Sequence, residues 1–188
     1  MAVTRPKTLS SMAVAAAVLG LIAFGLMFLY GNASFAPAGP SDGQAPTADV
    51  DGGLTRAAPL VGFPVLIPAG LPDGWHPNSF SFTAAPGTKD APPAVRAGWL
   101  TEQGRFVTVV QSNGRLEDVQ QAELGEVTTA TGQVDVDGVT WTEVPGRRTE
   151  AAWVRTAGDV SYLITGSASP DDFRKLAAAV AGGTPATS

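Results

Sequence analysis

The stretch that decides the fold is residues 134–165, which read VDVDGVTWTEVPGRRTEAAWVRTAGDVSYLIT. It holds two dipeptides typical of two-residue β-hairpin turns, Asp137-Gly138 and Gly158-Asp159. Each turn fixes which residues face each other across its hairpin. The predicted pairs are Val136 with Val139, Val134 with Trp141, Trp153 with Ile164, and Arg155 with Tyr162.

The loop between the two hairpins sets how they join. A loop centred on Arg147 places Trp141 opposite Trp153. One face of the sheet then carries most of the apolar side chains, namely Val134, Val136, Val139, Trp141, Ala151, Trp153, Val160, Tyr162 and Ile164. Because a one-residue slip would turn this whole set toward water, the register is well determined.

The segment that follows predicts a helix. Ser169 is an N-cap residue, Pro170 suits the first helical position, and two carboxylates follow in the first turn. The apolar residues Phe173, Leu176, Ala177 and Val180 then recur at helical spacing until Gly182. The fold class is therefore α+β, an antiparallel β-meander covered by a C-terminal helix. Residues 182–188 are expected to form a disordered tail.

Upstream, alternation in Val95, Ala97 and Trp99 predicts a strand. A two-residue turn at Gln103-Gly104 would place Trp99 opposite Thr108 and Glu102 opposite Arg105. A helix is predicted over residues 116–124, with Gly125 as its stop, and residues 63–67 read as an edge strand or extended lead-in. The globular unit is thus expected to span residues 60–181.

The N-terminal third differs in composition. Residues 31–59 are mostly Gly, Pro, Ala, Ser and Thr, which predicts a disordered linker. Residues 9–30 are 22 uncharged, mainly apolar residues, enough to cross a bilayer as one helix. Arg5 and Lys7 precede this run, so the eight-residue N-terminus is expected in the cytoplasm and the rest outside the plasma membrane.

A cleaved signal peptide is the alternative for this run, because Gly31-Asn32-Ala33 offers a small-x-small site. The apolar run is longer than the core of a typical signal peptide, which favours a retained signal-anchor.

Composition excludes several classes of function. The 188 residues carry a formal net charge of −5, which disfavours nucleic acid as a partner. There is no cysteine, hence no thiolate site, and the single histidine, His76, excludes multi-histidine metal sites. No catalytic constellation or cofactor motif is visible, so we expect neither an enzyme nor a bound cofactor. The pattern Asp135-Val136-Asp137-Gly138 faintly resembles a calcium loop, but a hairpin turn accounts for it.

Two groups of residues are candidates for binding. Trp99, Trp141, Trp153 and Tyr162 are predicted to form either a core face or the lining of an apolar-ligand pocket between sheet and helix. Arg147 and Arg148 form the basic doublet of a hairpin tip, where they could contact anionic lipid headgroups or an acidic envelope polymer, or simply be solvated.

Several segments, in this order and spacing, resemble the actinobacterial membrane proteins grouped as domain of unknown function 4245. They are the basic-then-apolar N-terminus, FPVLIPAGLPDGW from Phe63, GWLTEQGRFVTVVQS from Gly98, GVTW from Gly138 and ITGSASPDDFRKLAAAV from Ile164. The resemblance implies a single-pass envelope protein without an assigned activity. It supplies no catalytic residues to carry over.

These expectations lead to one main hypothesis and one alternative. The main hypothesis is a membrane-anchored extracytoplasmic binding or scaffolding module that meets an unknown envelope protein or polymer, with the bilayer contacted through residues 9–30. The alternative is a carrier or sensor for lipid or another apolar small molecule.

Overall fold

The centre of the molecule is an antiparallel sheet, seen in a computed structural model that describes residues 47–187. Seven strands form it in the spatial order β2-β3-β4-β8-β7-β6-β5. Their bounds are β2 His76–Thr83, β3 Ala94–Leu100, β4 Phe106–Ser112, β5 Gly132–Val136, β6 Val139–Pro145, β7 Ala151–Ala157 and β8 Val160–Gly166. The predicted α+β class with an antiparallel sheet is confirmed.

The sheet is not one continuous meander. Strands β2 to β4 and strands β5 to β8 each form a meander, and the two join where β4 pairs with β8. Helix α2, Leu116–Leu124, lies in the connection between them, with the bounds and the Gly125 stop that the sequence predicts. This connection allows β8 to lie at the centre of the sheet, paired with β4. Turn signals do not encode such a non-local pairing.

The two predicted two-residue turns have the predicted registers. Val134 faces Trp141 and Val136 faces Val139, while Trp153 faces Ile164 and Arg155 faces Tyr162. Asp137 adopts a left-handed φ of 53°, as a type I′ turn requires of its central residues.

The predicted pairing of Trp141 with Trp153 is wrong by two residues. Trp153 faces Glu143 instead, and the same register places Trp141 beside Arg155. The reason is the loop, which spans five residues between Pro145 and Ala151 and is closed by a bond from Gly146 N to Glu150 O. A shift of two residues keeps every side chain on its predicted face.

The hairpin between β3 and β4 differs from the prediction by one residue. Trp99 faces Val107, not Thr108. Thr101 N bonds to Arg105 O, which leaves a three-residue loop in which Gly104 has a left-handed φ of 68°. This is the geometry of a type I turn with a bulge, and it places Val107 and Val109 on the same face as Trp99.

Both faces of the sheet are covered. The larger core lies under helix α1, Val50–Val61, and helix α3, Pro170–Ala181, and contains all four tryptophans. The smaller core lies under α2 and includes Val119, Leu124 and Leu163. The C-terminal helix therefore covers the predicted face, as expected, but it shares that face with α1.

Helix α1 corrects the predicted linker. Residues 50–59 belong to a helix, so disorder through residue 59 and a domain start at residue 60 are wrong. The helix forms because Val50, Leu54, Ala57 and Val61 bury one stripe against the sheet. Asp49 caps its start by accepting a bond from Gly52 N at 3.0 Å. The composition of this segment resembles that of a linker because Gly and Ala occupy the positions of the helix that pack tightly, such as Gly53 against Phe80.

The predicted disordered tail also needs correction. Thr184–Pro185 forms strand β9, which pairs with β1, Leu66–Ile67. Ala186 N then donates to Val65 O at 2.8 Å. A two-residue strand carries too little pattern to be recognised in sequence.

The predicted membrane segment, residues 9–30, and most of the predicted linker lie outside the described residues. Within residues 47–187, no helix has the length and apolarity needed to span a membrane.

Candidate binding site

A row of directly opposed side chains crosses the larger core face of the sheet and carries polar groups. On successive strands the row contains Val95, Gln111, Tyr162, Arg155, Trp141 and Val134. Gln111, Tyr162 and Arg155 lie on the adjacent strands β4, β8 and β7. Three neighbouring strands therefore place a polar side chain at the same level of an otherwise apolar core.

Gln111 has a structural role. Its side chain is fully buried, and its amide binds both backbone groups of Leu66. Leu66 N donates to Oε1 at 2.8 Å, and Nε2 donates to Leu66 O at 2.7 Å. Gln111 thus acts as a substitute strand partner that fastens β1 over the sheet.

Arg155 lies between two aromatic rings. Its Cζ atom is 5.4 Å from the ring centroid of Trp141 and 5.4 Å from that of Tyr162. Cation–π attraction of this kind contributes up to about 2 kcal/mol where the pair is desolvated. The rings hold the guanidinium in place, and we call these three residues the Arg155 cluster.

The Arg155 cluster contains two buried N–H donors that lack acceptors. They are Nη1 of Arg155 and Nε1 of Trp141. Trp141 is completely buried, and none of the ion pairs within residues 47–187 includes Arg155. Since a buried donor without a partner costs about 1–3 kcal/mol, more when charged, the arrangement suits an acceptor from outside the chain.

The phenol of Tyr162 completes the cluster. Burial raises its pKa above the ordinary value of 10.0, and the nearby charge of Arg155 opposes that rise. The Tyr162 hydroxyl is therefore neutral at physiological pH.

The other predicted aromatic residues are packed in the same core. Trp99 is buried under the helices, and Trp153 makes an edge contact with Phe173 of α3 at 5.3 Å. Exposed Arg174 covers the Trp153 ring at 5.8 Å. The space between Trp153 and the helix is thus filled by the chain itself, while Trp141 and Tyr162 flank the Arg155 guanidinium, whose Nη1 has no acceptor.

The Arg147-Arg148 doublet lies in a shallow depression together with two carboxylates. Glu126 and Glu150 line it beside the two arginines, and the Arg147 guanidinium lies next to Gly125, the C-cap of α2. A cation in that place interacts favourably with the negative end of the helix dipole. Arg148 adopts a left-handed φ of 57° that closes the loop. These contacts give the doublet a structural role.

The remaining candidates have local partners. His76 Nε2 and Thr47 Oγ1 are 2.8 Å apart, which ties the start of the described chain to β2. Asp135 Oδ1 accepts from Gly138 N at 3.0 Å, as expected of a hairpin turn. Within residues 47–187, no cluster of three or more His, Asp or Glu side chains could hold a metal ion.

Sequence reasoning did not single out Arg155 or Gln111 as site residues. A signal for Arg155 was present, because the predicted register already placed it opposite Tyr162 on an apolar face. A charged residue at a core position indicates either a partner or a functional role. Gln111 carried no comparable signal, since its partner is a backbone segment 45 residues away.

A family model described as "Protein of unknown function (DUF4245)" matches residues 5–180. No curated protein and no solved structure matches the chain significantly.

Proposed function

Because this chain belongs to the DUF4245 family of proteins of unknown function, we propose its function from its own chemistry. It is a membrane-anchored extracytoplasmic module of the cell envelope that binds or scaffolds a partner and has no catalytic activity. The bilayer anchor is residues 9–30, with the short N-terminus in the cytoplasm.

The observation that carries this proposal is the continuity of the family match. The match begins at residue 5, runs through the uncharged stretch of residues 9–30, and ends at residue 180 within α3. The apolar stretch and the folded domain are thus parts of one family unit. This continuity supports a function that the domain carries out next to a membrane.

The edge of the sheet supports a role in binding. Strand β2 is an end strand of the seven-stranded sheet, and β3 is its strand partner among the described residues, while Ala48 N donates to Pro77 O near the start of β2 at 3.0 Å. Phe82 on this strand is 42% exposed, and Leu60, near the end of α1, is 49% exposed. Exposed apolar side chains at an end strand of a sheet are suited to contact with another protein chain.

Site-specific photo-crosslinking in intact cells tests this function. A photoreactive residue at Phe82 of the full-length protein is expected to give a recurrent adduct with one envelope partner. The same residue at exposed Val127, outside the sheet, serves as the matched control. Absence of a recurrent adduct from Phe82, or cleavage resistance of the domain when proteases are added to wall-stripped cells, would contradict the proposal.

A second function is favoured by the two unpartnered donors of the Arg155 cluster. We propose as the alternative that the domain is a carrier or sensor for an apolar molecule. The molecule would bind beside Trp141 and Tyr162, since the chain itself fills the space between Trp153 and α3. Native mass spectrometry of the full-length protein is expected to detect such a molecule, and consistently ligand-free spectra would contradict it.

A further inference from the structure

The two end strands of the seven-stranded sheet differ in how they are protected against pairing with another chain. Strand β5 has five residues and carries the exposed carboxylate of Asp135. Strand β2 has eight residues, and its start is interrupted by Pro77 and by a register shift between Pro77 and Ser79. Charge, proline and bulges are the usual protection of end strands, and residues 79–83 have none of them. We call residues 79–83 the β2 edge.

The register of the sheet shows which backbone groups of the β2 edge face outward. Thr101 N bonds to Arg105 O across the hairpin of β3 and β4. Bonded pairs alternate along an antiparallel ladder, so the odd-numbered residues of β3 bond to β4 and the even-numbered ones bond to β2. Phe80 and Phe82 face odd-numbered residues of β3. Their N–H and C=O groups therefore point away from β3.

The start of β2 agrees with this alternation. Pro77 also faces an odd-numbered residue, Trp99, and its C=O accepts from Ala48 N at 3.0 Å instead of bonding to β3. Beyond Pro77, the β2 edge has no second backbone partner among residues 47–187. Ser79, Ser81 and Phe82 are exposed, so another chain can reach this edge from solvent.

We propose that the β2 edge pairs antiparallel with the β2 edge of a second copy of this chain, about a two-fold axis at Ser81. The inference rests on the first function proposed above and names the partner that β2 contacts. Reversal about Ser81 places Phe80 of each copy opposite Phe82 of the other. Both residues direct their backbone groups outward, so each such pair exchanges two hydrogen bonds.

Charge and symmetry favour a second copy over an unrelated chain. A charged strand that pairs with itself opposes like charges, whereas residues 77–83 contain no ionisable side chain. The bond from Ala48 to Pro77 limits the available edge to residues 79–83, a stretch centred on Ser81. The rings of Phe80 and Phe82 lie 6.3 Å apart, so the two-fold axis brings both pairs of rings together on one face. Anchoring in one membrane raises the effective concentration of copies.

Disulfide formation tests the register, because the chain has no cysteine and each variant therefore carries a single thiol. Ser81 faces its own copy in a non-hydrogen-bonded pair, where Cα atoms are about 4.5 Å apart and a disulfide can form. Ser79→Cys is the matched control, exposed on the same face. Its Cα atom would lie roughly 14 Å from its own copy, four residues along the strand, which is too far for a bridge. In membranes holding the full-length protein, a mild oxidant is expected to link Ser81→Cys into dimers at least about tenfold faster than Ser79→Cys.

A charge at the two-fold axis gives an independent test. Ser81→Lys opposes two ammonium groups directly and is expected to raise the dissociation constant of the dimer several-fold, by about fivefold. Ser79→Lys adds the same charge opposite Thr83 of the second copy and is expected to have a smaller effect. Sedimentation of the full-length protein in detergent measures both constants, and circular dichroism shows that each variant is folded.

The remaining outcomes each decide against the inference. Equal rates for the two cysteine variants would show random collision instead of strand pairing, and absence of a disulfide from both would overturn self-pairing. The photoreactive residue at Phe82 identifies any other occupant. An adduct with residues 1–46 of the same chain or with a different envelope protein would overturn the second copy, and the different protein would leave the first proposed function standing. Absence of both disulfide and adduct would contradict that function as well.

Discussion

At the scale of single residues, Gln111 shows how one buried side chain organises a distant segment. Replacing it with Leu is expected to lower the free energy of unfolding by about 2–4 kcal/mol, because Leu66 N and Leu66 O both lose their partner. Chemical denaturation of the full-length protein measures the change. The control is Gln133→Leu on the exposed edge of β5, expected to change stability by less than about 0.5 kcal/mol. Equal effects of the two substitutions would contradict this role.

A second residue-scale prediction concerns pH and the start of α3. Burial raises the pKa of Asp172, but hydrogen bonds from Ser169 and Lys175 outweigh burial, so the net pKa lies below its usual 3.8. A lowered folded-state pKa stabilises the protein above the unfolded value, and the stabilisation is lost as pH falls through the folded value.

Asp172→Asn is therefore expected to cost about 1 kcal/mol near neutral pH and progressively less below about pH 4. Thermal unfolding across that pH range measures it. Asp171→Asn, in the same helical turn but exposed, is the control and should show a smaller effect. A cost for Asp172→Asn that does not change with pH would contradict the assignment.

At the scale of elements, α1 provides a test of where the domain begins. Leu54 is fully buried and Leu60 is 49% exposed in the same helix. Leu54→Ala is expected to lower the free energy of unfolding by about 2–5 kcal/mol, as for other buried leucines, and Leu60→Ala by well under 1 kcal/mol. Similar small effects at both positions would mean that the helix is dispensable and that the domain starts near residue 60 after all.

The connections between strands show which elements can be predicted from sequence. The turns at Asp137-Gly138 and Gly158-Asp159 were predicted with the correct register because their two residues define the turn type locally. The loops after Thr101 and Pro145 were assigned the wrong register, since their lengths depend on where the flanking strands stop pairing. Strand β2 was missed because Pro77 and Asn78 at its start are typical of a turn, although the Ser and Phe alternation that follows is typical of a strand.

At the scale of the whole molecule, the two cores are expected to unfold together. All four tryptophans belong to the larger core and none to the smaller one under α2, so fluorescence reports one face and far-ultraviolet circular dichroism reports both. Leu163→Ala, in the smaller core, is expected to lower the unfolding midpoint equally by both signals, because both faces share the same strands. Separate midpoints would show that the face under α2 unfolds on its own.

By itself the sequence determined the features that depend on neighbours along the chain. These are the α+β class, two hairpins, the bounds of α2, and the capped start of α3, where Ser169 and Asp172 bond each other reciprocally. Turn types, caps and side-chain periodicity act within a few residues, so they can be read from a single chain.

The tertiary structure alone decided how β4 meets β8, which residues cover the larger core, and what surrounds Arg155. Each of these depends on residues that are distant in sequence, such as Leu66 against Gln111 or Trp141 beside Arg155. A Gly- and Ala-rich segment becomes helix α1 only because the sheet offers a surface that its apolar stripe can bury. The position of the Arg155 guanidinium between the rings of Trp141 and Tyr162 likewise follows only from the three-dimensional structure.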